Sequence, residues 1–367
     1  MAKEKITHLP NNSFYLIPGK NLACFLGAFL LFFLSLSGCR LSYVLHAASG
    51  QLHVINNSIP LEDVLQGDTL SPVQKERLRL VAEIKIFGEE ELGLRATDNY
   101  NTVYLESDQA PVYIISAAPK DQLTSITWWF PIVGRMPYLG FFDLDKAQNK
   151  QKDLNNKNLD VIIGKAGAYS TLGWFQDPVT LNLLDGTEVD LAEIILHEMT
   201  HTTIYLNGQG AFNESLANLI GKKGAVAFME NKYGPTHSLT MEAMYNLEDN
   251  RIFSLFLTSL FEKLERCYAS STSYQEKVDD REKIFNTSLK EFEEIKGLLR
   301  TDRYSYFGKN RLNNAYLLSI GLYNRHFLLI EMLLEKKNGS IRSTLQLLKD
   351  LSKGDEDIIT EMINLLG

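Results

Sequence analysis

Cysteine is scarce in this chain, basic charge is in deficit, and the apolar run near the N-terminus is too short to cross a bilayer comfortably. Only Cys24, Cys39 and Cys267 occur, and the first two fall near the N-terminus, so disulfides do not staple the fold. Thirty-seven Lys and Arg stand against 45 Asp and Glu, a formal net charge of -8. That balance excludes a nucleic-acid binder, because no basic surplus remains to neutralise phosphates. Internal repeats and low-complexity tracts are missing too, which argues against a repeat array or a disordered tail. What is present is an ordinary globular composition, 45% hydrophobic over 367 residues, enough for one large domain or two modest ones.

Lys3, Lys5 and Lys20 precede an apolar run from Leu22 to Leu36, the charged and hydrophobic parts of a secretory signal. The run falls short of the ~20 residues of a transmembrane helix. At its end, Leu36-Ser37-Gly38-Cys39 has the form of a bacterial lipobox, whose cysteine is acylated and becomes the first residue of the exported protein. The expectation is a signal peptide over residues 1–38 and a body over residues 39–367, exported and held at the cell envelope by a lipid on Cys39. A signal anchor, or conventional cleavage near Gly38, would leave Cys39 inert. Losing the segment removes three lysines and one glutamate. The body stays acidic, so membrane attachment rests on acyl chains and not on a polybasic surface.

Along the body, Ser42 to Ile86 reads as helical with a turn through Asn56-Asn57-Ser58, and Ser71-Pro72 marks a helix start ahead of Lys75 to Phe87. The β-branched and aromatic residues of 102–107, 111–116 and 159–163 predict three strands. Two glycine-bearing aromatic segments, Trp128 to Asp143 and Ala168 to Trp174, read as loops or sheet edges. Beyond them the pattern is almost wholly helical: 191–206, 214–229, 241–268, 275–299, 312–336 and 341–351. The fold class is therefore α+β, mostly helical, with a small antiparallel or mixed sheet ahead of a helical C-terminal region. The charged helices 241–268 and 275–299 form a hairpin with a solvated face.

The stretch that carries chemistry is Asp190 to His201, which contains His197-Glu198-Met199-Thr200-His201. Asp190 and Glu193 have capping-box spacing, which starts a helix there and puts His197 in its second turn. Side chains at i and i+4 share one helix face, so both imidazoles address one spot, as a tetrahedral Zn²⁺ requires. Glu198 projects beside that spot without ligating and is placed to take a proton from water. Asn207-Gly208 then ends the helix, and Glu214, thirteen residues after His201, opens a returning helix as the third ligand. A two-histidine, one-glutamate set leaves the fourth position open, as catalytic zinc needs. The plainer reading of Glu214 is an N1 glutamate favoured by the helix dipole. Asn213, Asn218 and Thr202 are at hand to brace the ligands. His46, His53, His237 and His326 lack ligand spacing and read as ordinary histidines.

These residues resemble a family of bacterial predicted aminopeptidases, lipoproteins that combine a lipobox with H-E-x-x-H and a nearby N-E ligand motif. The likeness runs over Leu36 to Cys39, Trp129 to Gly134, Tyr138 to Asp143, Ala168 to Trp174, His197 to His201, Phe212 to Ser215, and Asn313-Asn314-Ala315 with Tyr323. It implies a gluzincin-type zinc peptidase with a zincin-like pair of active-site helices, His197, His201 and Glu214 as ligands and Glu198 as general base. It also implies that Ala168 to Trp174 forms a substrate-side edge strand. The aminopeptidase part is the weaker implication, since no acidic anchor for a substrate amino group is identifiable. Tyr169 and Tyr323 are candidate donors to the oxyanion, with Tyr304, Tyr306 and Arg325 behind them. A non-catalytic envelope lipoprotein on the same scaffold, or a metallohydrolase of non-peptide amides, would use the same ligands.

Overall fold

The computed structural model describes residues 52–106, 113–130, 134–141, 143–165, 176–354 and 356–367. The lipobox with Cys39, His46, and the Ala168 to Trp174 segment with Tyr169 lie outside them.

Strand β1 (Ser58–Pro60) leads into α1 (Leu61–Gln66) and α2 (Pro72–Glu90). Ser58 therefore begins a strand where the sequence reads as a turn. Ser71 starts α2 as expected: its hydroxyl accepts from Gln74 N at 3.3 Å while the Gln74 side chain accepts from Ser71 N at 3.1 Å. The strand region continues with β2 (Thr102–Tyr104), β3 (Tyr113–Ala118), β4 (Trp128–Phe130), β5 (Gly134–Met136) and β6 (Leu139–Phe141). Then follow α3 (Leu144–Asn155), β7 (Asp160–Lys165) and β8 (Val179–Thr180). Among the described residues three small sheets result, in place of the single one expected. In one, β2 lies between antiparallel β1 and parallel β8; in another, β3 lies between antiparallel β6 and β7; β4 and β5 form a hairpin. The expected strands at 102–107, 111–116 and 159–163 correspond to β2, β3 and β7. Ile115 stands opposite both Leu139 and Ile163, and buries its side chain with Ala147 and Leu154 of α3. One face of this sheet is thus closed by a helix, leaving the other for Ile114, Ser116, Ile162 and Gly164, which line a cleft.

The rest is helical: α4 (Glu188–Thr203), α5 (Gly210–Tyr233), α6 (Ser238–Ala269), α7 (Tyr274–Lys296), α8 (Asn314–Asn324), α9 (Phe327–Lys336), α10 (Ile341–Leu351) and α11 (Ile358–Leu366). Residues 312–336, which read as one helix, break at Arg325-His326 into α8 and α9. The fold is α+β and mostly helical. Its largest core joins α2, α4, α5 and α9 through residues such as Ile84, Leu196, Leu216 and Phe327. A second, aromatic core forms between α6, α7 and the 300–312 loop around Phe253, Phe292 and Phe307.

Helices α4 and α5 touch almost backbone to backbone. A Cβ on Gly221 would sit 2.6 Å from the Glu193 carbonyl oxygen, and one on Gly224 would sit 2.7 Å from Leu196 Cδ1. At Gly221, where the close atom is backbone, only glycine lets α5 lie this close to the helix that carries both histidines.

Candidate metal centre

Helix α4 begins three residues earlier than the sequence pattern predicts. Thr187 is the N-cap: its hydroxyl accepts from Asp190 N at 3.1 Å, and the Asp190 carboxylate accepts from Thr187 N at 3.1 Å. Asp190 is thus the N3 partner of the box and not the cap, and His197 falls in the third turn. Glu193 is released from capping, and it is buried instead in an ion pair with Lys222 of α5 at 2.9 Å.

At the other end of α4, His197 Nε2 and His201 Nε2 lie 3.2 Å apart. Glu214 Oε2 approaches them at 3.3 and 3.6 Å. Glu214 is the fifth residue of α5, a full turn inside it, so the N1 reading does not apply; the helix aims this carboxylate back across to α4. His197, His201 and Glu214 offer three ligand atoms within 4.8 Å of one another. His201 is buried and the other two side chains are 17% and 19% exposed. Burial would raise the Glu214 pKa, but hydrogen bonds and charge from both imidazoles hold it well below the usual carboxylate range. Burial would lower the His201 pKa, but Glu214 and Glu198 raise it.

Two buried atoms of this cluster, Glu198 Oε2 and His201 Nδ1, have no hydrogen-bond partner among the described residues, a costly state for polar groups. Two imidazole nitrogens face one carboxylate oxygen, with a free carboxylate oxygen alongside; this donor set fits a divalent cation with a water next to it.

The centre opens into a cleft of about 640 Å³ lined by α4, α5, α8, the β3–β7 face and the 300–312 loop. Tyr323 stands in its wall, its ring centroid 6.0 Å from that of His197. The residue is 43% exposed, but enclosure of its hydroxyl in the cleft and the nearby Glu214, Tyr138 and Glu198 push that hydroxyl above its ordinary pKa. The other candidates are committed elsewhere. Tyr304 donates to Asn250 at 2.6 Å and Arg325 pairs with Glu265 at 2.7 Å, while Tyr306 is 59% exposed at the rim.

Asn213, Asn218 and Thr202, expected to hydrogen-bond the ligands or a bound substrate, make no hydrogen bond to a ligand among the described residues, and Asn218 lines the cleft. Asn213 exchanges two hydrogen bonds with the Leu206 backbone, at 2.9 and 2.8 Å, closing the α4–α5 turn. Asn218 donates to the Tyr323 carbonyl at 2.9 Å and Thr202 to the Met199 carbonyl at 2.9 Å. His237 caps α6 and stacks on Tyr233, and His53 pairs with Glu106, so neither joins the cluster. Tyr100 goes unnoticed in the sequence. It is buried with a left-handed backbone at φ 64°, and the nearby Glu198 charge adds to burial in raising its pKa. Also unforeseen is the group Glu193, Lys222 and Arg303, which lines the same cleft. Glu193 precedes His197 by four residues and so shares its helix face, the one signal that could have exposed it.

The model of the family described as "Putative aminopeptidase" matches residues 42–361. The chain belongs to this family. The match spans the strand region, the cluster and nearly all of the helical region, so the centre lies within the family's own body and not in an appended segment. No curated protein and no solved structure matches the chain.

Proposed function

We propose that this member of the family is a gluzincin-type zinc peptidase, with α4 and α5 as its zincin-like helix pair. The single observation behind the reading is the convergence of His197, His201 and Glu214 beside a buried Glu198 oxygen that lacks a partner. Those three side chains would hold Zn²⁺. When bound, the ion supplies Lewis acidity toward the scissile carbonyl.

The chain's own groups carry the rest. Glu198 Oε2 takes a proton from the attacking water and returns it to the amine as the C–N bond breaks. Tyr323, protonated and beside His197, donates to the oxygen that gains negative charge. Tyr169 belongs to the same proposal as a second donor. The wall of β3 and β7 gives an extended substrate a surface to lie against. Residues 1–38 act as an export signal, Cys39 carries the lipid, and residues 39–367 form the envelope-facing enzyme.

The test is a hydrolysis panel on the full chain in detergent, with amino-free and amino-blocked peptides. Cleavage should vanish with a chelator and return with zinc. A zinc-loaded protein that cuts no peptide would overturn the reading and leave a binding lipoprotein or a metallohydrolase of non-peptide amides in its place.

A further inference from the structure

Besides the metal ligands, the cleft is lined by a charged cluster that the proposed chemistry leaves unused. Glu193 accepts from Lys222 at 2.9 Å, from Asn246 at 3.1 Å and from Arg303 at 3.1 Å. Arg303 also reaches Asp190 at 2.8 Å. Lys222 is 3% exposed, while the Arg303 side chain is 31% exposed and open to the cleft.

Resting on the peptidase reading above, we propose that Arg303 and Lys222 form a subsite for a carboxylate of the peptide substrate, one or two residues from the scissile bond. The spacing follows from the helix. Four residues separate Glu193 from His197, about 6 Å along the axis, and an extended chain advances ~3.5 Å per residue. A substrate with its scissile carbonyl at His197 and His201 therefore meets this cluster after one or two residues.

Donor capacity decides the sign of the ligand. An arginine and a lysine carry about eight N–H donors between them, and their contacts with Glu193 and Asp190 use three. Glu193 has about four acceptor sites, and three are taken. The cluster thus offers spare donors in number and scarcely a spare acceptor. Among the described residues lining the cleft, the carboxylates are Glu193, Glu198 and Glu214. Two of these stand at the reacting centre and the third has three of its four acceptor sites filled, so a substrate ammonium finds few acceptors where a carboxylate finds spare N–H donors. Arginine is also the side chain whose planar fork suits a carboxylate.

The subsite is built and not a chance of loose surface groups. Buried Asp249 accepts from Arg300 N at 2.9 Å, Thr301 N at 2.8 Å and the Thr301 hydroxyl at 2.7 Å. Tyr304 stacks on Phe253 with centroids 4.1 Å apart. Arg303 sits between these two anchors, so its loop is held before any ligand arrives.

The experiment compares a tripeptide acid with its C-terminal amide, and each with its N-acetylated form, on the full chain in detergent. Turnover is measured on the parent, and binding by calorimetry on Glu198→Gln. The acid should be favoured over the amide by about tenfold or more in both readouts, and acetylation should matter little. A tripeptide amide ending in Glu, set against one ending in Gln, tells a side-chain carboxylate from the terminal one. In Arg303→Gln the acid-to-amide ratio should fall toward one, and Arg303→Lys should keep part of the ratio. Lys222→Met should act in the same direction. Equal treatment of acid and amide, a ratio that survives Arg303→Gln, or an equal loss on both substrates would overturn the subsite. Preferential binding of the acid without any cleavage would sustain the subsite and remove the peptidase reading, while cleavage without preference does the reverse.

Discussion

Gly221 of α5 faces the backbone carbonyl of Glu193 on α4 so closely that a methyl group there would lie 2.6 Å from the oxygen and 3.3 Å from His197 Cβ. One missing side chain thus sets the distance between the helix bearing the histidines and the helix bearing Glu214. Gly221→Ala should spread the pair and lower stability by about 1–3 kcal/mol, the usual cost of overpacking a close contact. Metal affinity should fall with it. Denaturant melts and metal titration on the same preparation check both, and an unshifted midpoint would contradict the close packing.

Removing a ligand should remove the metal. The full chain should carry about one Zn²⁺, and His201→Ala or Glu214→Ala should strip it, because each leaves two of three protein ligands. Elemental analysis decides. Full occupancy in Glu214→Ala would show that the third ligand lies elsewhere.

Glu198→Gln keeps the shape of the side chain and loses its basicity. Zinc content and melting should stay close to the parent, while peptide hydrolysis should fall by about 10² to 10⁴. Hydrolysis at the parental rate would take the proton-transfer role from Glu198.

His326 should make stability depend on pH without touching the metal. Burial first, then the Arg325 charge, lowers its pKa to about 4, with Asp357 opposing. Its folded pKa lies below the unfolded value of about 6.5. The stabilisation is therefore complete above pH ~6.5 and is lost as pH falls toward 4, because only the unfolded chain binds the proton in that window. At ~1.4 kcal/mol per unit the effect is at most about 3 kcal/mol. Urea melts of the parent and His326→Gln across pH 4–7 should converge as the pH drops; a constant difference between them would count against a depressed pKa.

Cys39→Ala should abolish incorporation of a labelled fatty acid, because the cysteine offers the thiol that is acylated. Label persisting on the variant would rule out Cys39 as the anchor.

Much of the site was legible before any coordinates. His197, Glu198 and His201 could be read because a local 3.6-residue period fixes their relation, and local periods survive whatever the rest of the chain does. Glu214 was readable from a turn signal and a plausible return length. The helical region was legible for the same reason, as was the start of α2 at Ser71-Pro72. Legibility failed where one local pattern admitted two registers: Asp190 could cap or be capped, and the Thr187 hydroxyl decided it.

Local sequence pattern was enough for the two helices that carry the cluster and for the residue types able to bind a cation. Each depends on neighbours within a few residues. The tertiary structure decided what depends on distance between elements. It drew Glu193 out of a cap and into a buried pair with Lys222, because burial forces an unpaired charge to find a partner. It assigned Asn213 to a turn, because the Leu206 backbone groups needed satisfying more than the ligands did. It brought Arg303, more than a hundred residues downstream, to the same cleft. No local period encodes that meeting, since it arises only when Asp249 and Phe253 of α6 hold the loop in place.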